Sequence, residues 1–228
     1  MRVTYSGSLS TVSSADVPGI DSNLYIQTQV YRDSLSRTMD QVIGETALAL
    51  TKELPEGTLG NFCADACLHQ AGILCREANI ALPDICILNH GGLRASLPQG
   101  KVTLGNLYEL MPFDNELMII GLDRSGLDSL LQFLAKKGGA PIGGFRMTLA
   151  NDSLQDHSLP PTTQSGKYRV LTSDFLANGG DLYPALRSST DRTWLGLKVR
   201  DALILEVREK YQAKQLINTP KDGRIRKL

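Results

Sequence analysis

The sequence is poor in several features that would point directly to a function. Aromatic residues make up only 6% of its 228 residues, and no apolar run approaches the ~18 residues of a membrane-spanning helix. Lysine plus arginine (24) equals aspartate plus glutamate (24). The chain therefore has no basic field that would hold a nucleic acid polymer or an anionic membrane by charge. Since 42% of the residues are hydrophobic, we expect a soluble, folded domain with a proper core.

Paired cysteine motifs are also missing. The four cysteines, Cys63, Cys67, Cys75 and Cys86, form no CxxC pair. The first three share a helical pattern, which is typical of small buried side chains. A zinc site that combined them with His69 would need spacings rarely seen in structural zinc motifs. These thiols do not identify the redox compartment.

The N-terminal segment has no apolar stretch behind basic residues, so no signal peptide is visible in this sequence. A signal that had been removed would leave the same pattern. Residues 1–28 are rich in Ser, Thr and Gly, which predicts a poorly packed lead-in. We expect the folded domain to occupy residues 29–228.

The first half of this domain predicts helices and strands in alternation. Apolar residues at helical spacing run from Val30 to Val42, and Ile43 to Thr51 alternates like a strand. An amphipathic helix of about 18 residues is predicted from Thr58 to near Asn79. Asp84 to Leu88 is a short, continuously apolar strand of the kind that is buried on both faces.

The second half continues this alternation. "VTLGNLYELMPF" predicts a short Thr-capped helix, "ELMIIGLD" a strand, and "SGLDSLLQFLAKKGG" a helix closed by its glycines. "FRMTLA" and "KYRVLTSDF" are strand candidates that would pair as a hairpin around a polar loop, residues 152–166. A long helix is predicted from Leu195 to Gln212, and "GRIRKL" reads as a last edge strand. The expected fold is α/β of the α+β type, a mixed β-sheet flanked by helices.

A first candidate binding stretch is "LNHGGLR", where the apolar strand ends in polar residues and glycines. Gly91 and Gly92 would let a backbone approach a ligand closely. Asn89 offers a hydrogen-bond donor and acceptor together, and Arg94 offers a rigid fork for phosphate or carboxylate. A plain turn would explain the two glycines, but not the combination with Asn89 and Arg94.

Two further stretches each place a phenylalanine beside polar residues. In "LMPFDN", Phe113 alone is more typical of a core anchor than of an exposed ring. In "DFLANGGD", Phe175 precedes a second glycine-rich turn that ends in Asp181. Taken together, the two stretches could hold a flat heteroaromatic ring between Phe113 and Phe175, with Asp181 on hydroxyl groups.

In this order and spacing, these three motifs and "GTLGNFCADA" resemble the C-terminal, substrate-binding domain of the 5'-nucleotidase family over residues 38–228. The resemblance implies that the base stacks between Phe113 and Phe175 and contacts Asn89. It also implies that Arg94 faces the phosphate and Asp181 the ribose hydroxyls. The residues expected to bind substrate are Asn89, Gly91, Gly92, Arg94, Phe113, Phe175, Asn178, Gly180 and Asp181.

The sequence departs from this family in two respects. Many members carry a further phosphate-binding arginine before the Gly-Asn of the helix start, where this chain has Pro55 and Glu56. Catalytic members also have a metallophosphoesterase domain with motifs such as Asp-x-His, Gly-Asn-His-Glu and His-x-His, and these 228 residues contain none of them. His69, His90 and His157 lack ligand spacing. We expect His90 to line the pocket rather than to bind a metal.

The sequence therefore predicts no catalytic and no metal-binding residues in this chain. It also has no Gly-x-Ser-x-Gly elbow and no cysteine set beside a base. We expect a nucleotide-recognition domain of a 5'-nucleotidase-type hydrolase that takes part in nucleotide catabolism. A separate metallophosphatase chain would then hold the divalent metals. The alternatives are a stand-alone nucleotide or nucleoside binder, and an interaction protein that has lost its ligand. The family suggests a periplasmic or cell-envelope location.

Overall fold

The computed structural model describes residues 22–161 and 166–228. The chain divides into two units, Met1–Thr38 and Met39–Leu228. Helix α1 (Ser22–Met39) is the described part of the first unit. All the other elements belong to the second unit, which carries the candidate site.

The predicted lead-in falls mostly on residues 1–21, which lie outside the described part of the chain. The helix predicted to begin at Val30 is present, but it already starts at Ser22. It ends at Met39, because Val42 begins the first strand. That strand ends at Thr46 and is shorter than predicted.

The second unit alternates helices and strands, as the sequence predicts. Its helices are α2 (Thr58–Glu77), α3 (Leu104–Leu110), α4 (Arg124–Lys136), α5 (Asp174–Ala177), α6 (Pro184–Ser188) and α7 (Val199–Gln212). Its strands are β1 (Val42–Thr46), β2 (Ile85–Ile87), β3 (Gly100–Thr103), β4 (Glu116–Leu122), β5 (Ile142–Gly143), β6 (Arg146–Ala150), β7 (Ser153–Ser158), β8 (Tyr168–Ser173), β9 (Arg192–Lys198) and β10 (Ile225–Lys227). Short 3-10 helices span His90–Gly92 and Gly180–Leu182.

The central sheet has five strands in the order β5-β2-β8-β4-β9. Strands β2 and β8 are parallel, whereas the other neighbouring pairs are antiparallel. Two smaller sheets pair β1 with β3 and place β6 between β10 and β7. The mixed α/β fold is thus confirmed.

Apolar side chains fill both faces of the central sheet. In β2, Cys86 belongs to one buried cluster, while Ile85 and Ile87 belong to the other. Leu171 and Val170 of β8 divide between the clusters in the same way. Because successive side chains of a strand point to opposite faces, such strands read as unbroken apolar runs.

Helices α3 and α4 begin close to where the sequence predicts because their caps are local. The Thr103 hydroxyl accepts a hydrogen bond from the backbone N–H of Asn106, and the Asn106 side chain accepts one from the Thr103 N–H. Asp123 caps α4 by accepting from the N–H of Gly126 at 2.7 Å. Each cap uses donors of its own helix and needs no distant partner.

The predicted hairpin between "FRMTLA" and "KYRVLTSDF" is wrong. Strand β6 pairs instead with β7, through a two-residue turn at Asn151 and Asp152. Both turn residues have positive φ, 49° and 58°, as tight hairpins require. Strand β8 lies inside the central sheet, because its buried Val170 and Leu171 need cover on both faces.

The helix predicted to start at Leu195 begins only at Val199. The preceding residues form β9, which pairs antiparallel with β4. Gly196 adopts φ 65°, a left-handed conformation that interrupts a right-handed helix. The alternation in "RTWLGLK" was therefore a strand signal.

The predicted burial of the cysteines is confirmed. All four are free and fully buried, and desolvation raises the pKa of the Cys67 thiol to about 12.

None of the described helices combines the length and the apolar character needed to cross a membrane.

Candidate functional site

Three loops meet at one edge of the central sheet. Strands β2 and β8 are parallel, so the segments that follow them leave the sheet at the same edge. Strand β4 is antiparallel to β8, and its Leu117 pairs with Ser173, the last residue of β8. The loop before β4 therefore opens at this edge as well. In this way the fold brings together the three motifs that the sequence singled out.

A cavity of about 290 Å³ lies between these loops. Its lining contains seven of the nine residues predicted to bind substrate, together with one further asparagine. The lining residues are Asn89, Gly91, Gly92, Arg94, Phe113, Asn115, Phe175 and Asp181. This volume is close to the lower end of the range of small-molecule pockets.

Both phenylalanines of the cavity are exposed. The exposed fractions are 41% for Phe113 and 43% for Phe175. Phe113 is thus not the core anchor that its isolated motif would favour. Large exposed apolar side chains that line one cavity indicate a binding role more than a packing role.

Gly180 lies against the Phe175 ring. A Cβ atom added at Gly180 would lie only 2.5 Å from carbons of this ring. The ring packs directly on the glycine backbone, so a larger residue at this position would push it away. Gly180 does not line the cavity, and the structure points to a role in orienting Phe175.

Asp181 is held in an uncommon backbone conformation. Asp181 and Leu182 have φ values of 51° and 62°, in the left-handed region that costs energy for non-glycine residues. The Asp181 Oδ2 accepts a hydrogen bond of 2.6 Å from Asn89 Nδ2. This bond joins the segment that follows β2 to the segment that follows β8. The second carboxylate oxygen of Asp181 makes no bond to Asn89.

Asn178, which the sequence places at the substrate, is not part of the cavity lining. Its Oδ1 accepts a hydrogen bond from Arg192, whose guanidinium also donates to the backbone carbonyls of Ala177 and Arg187. Arg192 thereby connects the end of α5 to α6. Asn178 takes part in this support, and direct contact with a ligand stays a prediction.

Two cations lie on the "LNHGGLR" turn. Arg94 is exposed, and the only protein acceptor of its guanidinium among the described residues is Gly91 O, at 3.5 Å. Lys52 Nζ donates to the backbone carbonyl of Leu93 at 3.1 Å. The sequence did not single out Lys52, because it lies far along the chain from the turn. These two positive charges favour the binding of an anionic group of a ligand at the turn.

His90 does not line the cavity, in contrast to the expectation from the sequence. Both of its ring nitrogens are buried and have no hydrogen-bond partner among the described residues. Burial and, to a smaller extent, the nearby Lys52 lower the pKa of His90 below its ordinary value. The imidazole is therefore neutral at pH 7 and adds no positive charge at this site.

Glu56, one of the two residues at which the sequence departs from the expected phosphate-binding arginine, makes contacts within the fold. It is buried, and its Oε1 accepts hydrogen bonds of 2.8 Å from Asn61 Nδ2 and from the backbone N–H of Asp222. These bonds join the start of α2 to the C-terminal segment. Glu56 is thus a structural carboxylate.

One group of potential metal ligands lies outside the cavity, between α2 and α7. The ligand atoms of His69, Glu206 and Glu209 lie within 4.8 Å of one another. Glu206 Oε2 accepts from His69 Nδ1 at 2.6 Å, and the Gln70 amide donates to both carboxylates. Lys210 neutralises the other oxygen of Glu206. These hydrogen bonds connect the two helices.

A family model described as "5'-nucleotidase, C-terminal domain" matches residues 38–188. The trifunctional nucleotide phosphoesterase protein YfkN of Bacillus subtilis is 27% identical over 73% of the chain, which is 12% of its own length. An apyrase of Tabanus yao is 25% identical over 93% of the chain and 42% of its own length. The cell wall protein Lmo0130 of Listeria monocytogenes is 25% identical over 86% of the chain and 28% of its own length.

A solved structure shows the same fold. The 5'-nucleotidase precursor from Thermus thermophilus superimposes with a TM-score of 0.72 at 25% identity, over 91% of this chain and 43% of that one. The chain therefore spans less than half the length of each of these four proteins.

Proposed function

Since the chain belongs to the family of 5'-nucleotidase C-terminal domains, we propose that it is the nucleotide-recognition unit of a phosphoester hydrolase of nucleotide catabolism. The observation that carries this proposal is the cavity at the sheet edge. Two exposed phenylalanines, an asparagine–aspartate pair and an arginine from three separate loops all line it. This set offers one partner for each part of a nucleotide.

In the proposed complex the base stacks on the rings of Phe113 and Phe175, an interaction that any base can make. The free oxygen of Asp181 accepts from ribose hydroxyls, while Asn89 keeps the Asp181 side chain oriented and contacts the base. Arg94 donates to phosphate oxygens in a charge-assisted pair. Asn115, which the sequence did not identify as a site residue, offers a further amide for the base edge.

Hydrolysis of the phosphoester needs divalent metals. We propose that a metallophosphoesterase partner outside these residues binds them. In such sites, two metals activate a water and stabilise the charge of the attacked phosphate. The cavity lining holds one carboxylate and no histidine, a donor set that does not fit a dimetal centre. This chain therefore contributes binding and orientation of the substrate, which assist the reaction only when the phosphate is held at the metals.

We expect the purified chain to release no phosphate from AMP, UMP or UDP-glucose, even with Mn²⁺, Zn²⁺, Mg²⁺ or Co²⁺ present. The reason is that the cavity lining provides no pair of metal sites ~3.5–4 Å apart. A phosphate-release assay checks this, with a complete 5'-nucleotidase as the positive control. Metal-dependent turnover that disappears in His90→Ala or Asp181→Ala would contradict the assignment and reveal an active site in these loops.

The partner is tested by adding a metallophosphoesterase domain of a relative to the purified chain. Hydrolysis that exceeds the sum of the separate activities would support the proposal that this chain binds the substrate for a catalytic partner. Nucleotide binding without any gain in hydrolysis would favour a stand-alone binding module.

Arg94 is expected to recognise the phosphate rather than the nucleoside. Arg94→Ala should weaken AMP binding by about 1.5–3 kcal/mol, the usual contribution of hydrogen bonds to a charged group. Adenosine affinity should stay unchanged, because adenosine has no anionic group to lose. Isothermal titration calorimetry with both ligands measures the difference.

The matched control for this arginine is Arg76→Ala, which removes an exposed arginine at the end of α2. It should change neither affinity. Equal losses for AMP and adenosine in Arg94→Ala would assign Arg94 to the structure of the turn.

We further propose a cell-envelope or periplasmic site of action. The support is that one relative is, by its name, a cell wall protein. Fractionation of cells that express the protein from its native gene tests the location. Recovery of the full-length product in the cytoplasm alone would exclude it.

A further inference from the structure

Arg200 contacts the loop that carries Phe113, although it does not line the cavity. It lies in the first turn of α7, and it is buried, with 7% of its surface exposed. Its Nη1 donates to the backbone carbonyls of Met111 at 3.2 Å and Phe113 at 3.4 Å. Its Nη2 donates to the Asp114 carboxylate. One guanidinium thus holds three acceptors on both sides of the phenylalanine.

The guanidinium is itself oriented by its surroundings. Its central carbon lies 4.4 Å from the centroid of the Tyr108 ring in α3, which is a cation–π contact. Lys198 approaches the second oxygen of Asp114 at 3.4 Å. The hydrogen bonds from Arg200 and Lys198 keep the pKa of Asp114 below its ordinary value, so this carboxylate stays charged at neutral pH.

A second carboxylate connects this loop to the loop of the other ring. Asp174 Oδ1 accepts hydrogen bonds from the backbone N–H groups of Glu116 at 3.1 Å and Phe175 at 2.7 Å. The segment from Met111 to Glu116 is therefore fixed at one end by Arg200 and at the other by Asp174. Phe113 lies on this fixed segment, and 41% of its surface is exposed.

We propose that Arg200 is a positioning residue for nucleotide recognition, which fixes the Phe113 backbone so that the ring is presented to the base. This inference rests on the proposed function and adds a residue to it that touches no ligand. Only arginine combines a planar fork for several acceptors with a face that stacks on an aromatic ring. Lysine would keep the charge but not the fork.

The effect should appear only for ligands that carry a base. In Arg200→Met, which has a similar apolar stem, the Phe113 loop loses its anchor, and AMP affinity should fall by about 5- to 150-fold, the equivalent of a lost stacking contact. Affinity for ribose 5-phosphate should not change, since this ligand has nothing to stack. A general loss of structure would weaken both ligands alike.

A double-mutant cycle gives the sharpest test. AMP affinity is measured by calorimetry for the wild type, Arg200→Met, Phe113→Ala and the double variant, and ribose 5-phosphate binding by ligand-observed NMR. If Arg200 acts through Phe113, the double variant binds AMP no more weakly than Phe113→Ala alone. Additive losses, or an Arg200→Met variant with wild-type affinity, would overturn the inference.

Arg200→Lys keeps the test valid should the methionine variant fail to fold. It should show an intermediate loss for AMP and none for ribose 5-phosphate, with an unchanged circular dichroism spectrum. Wild-type AMP affinity in Arg200→Lys would overturn the positioning role while the proposed function stands. A wild-type chain that binds neither AMP nor adenosine would refute the proposed function itself, and the inference with it.

Discussion

Replacing either Phe113 or Phe175 by alanine should weaken the binding of AMP and adenosine by about 1–3 kcal/mol, the usual range for a base stacked on an aromatic side chain. This corresponds to a loss of about 5- to 150-fold in affinity. The expected losses are alike for the two ligands, because both carry the same base. Calorimetric titration of each variant measures them.

Folding should be little affected by these substitutions. Both residues are about two-fifths exposed, so alanine opens the site to solvent and leaves no closed internal cavity. Urea unfolding of each variant checks this point. Tyr211→Ala is the matched control, since Tyr211 of α7 is 47% exposed and lies outside the cavity lining. Unchanged nucleotide affinity in both phenylalanine variants would remove the stacking model.

Gly180→Ala should reduce nucleotide affinity as strongly as Phe175→Ala does, although Gly180 does not line the cavity. The added Cβ would lie 2.5 Å from the Phe175 ring, which is closer than two non-bonded carbon atoms can approach. The ring must turn away and leaves its position beside the base. We therefore expect a loss of about 1–3 kcal/mol in AMP binding.

The steric explanation has its own test. In a chain that already carries Phe175→Ala, Gly180→Ala should cost nothing more, because no ring is left to displace. Gly72→Ala in α2 is the control, since its Cβ would meet only the end of the Arg76 side chain at 3.7 Å. Wild-type affinity in Gly180→Ala would show that the Phe175 ring can move without loss of binding. It would contradict a role of Gly180 in orienting Phe175.

The proposed site shows how exposed side chains are held in place by buried or charged neighbours. Phe113 lies on a loop, Phe175 in the short helix α5 and Asp181 in a 3-10 helix. Arg200, Asp174 and Arg192 hold the backbone of these segments through charged hydrogen bonds. Such support reduces the conformational freedom that binding would otherwise have to remove. Rigid presentation by a second layer of residues is typical of binding loops on a stable scaffold.

The amino-acid sequence by itself determined the features that depend on neighbours in the chain. Helix α2 occurs where the apolar periodicity predicts it. Helices α3 and α4 also begin at local end signals, because the caps Thr103 and Asp123 bond to their own helices. The apolar run of β2 predicted a strand buried on both faces. The motifs around Asn89, Phe113 and Phe175 indicated the family and seven residues of the cavity.

Only the tertiary structure decided which distant segments meet. Strand β8 joins the central sheet instead of a hairpin, because burial on both faces outweighs the pairing of sequence neighbours. The loops of Phe113 and Phe175 share a cavity because strand direction brings their ends to one edge. Lys52 and Arg200 belong to none of the motifs, and Asn115 closes the "LMPFDN" motif without having been identified as a site residue, so their places at the site follow from contacts alone. Periodicity records which face of an element is apolar, whereas the partner of that face is set by the packing of the whole domain.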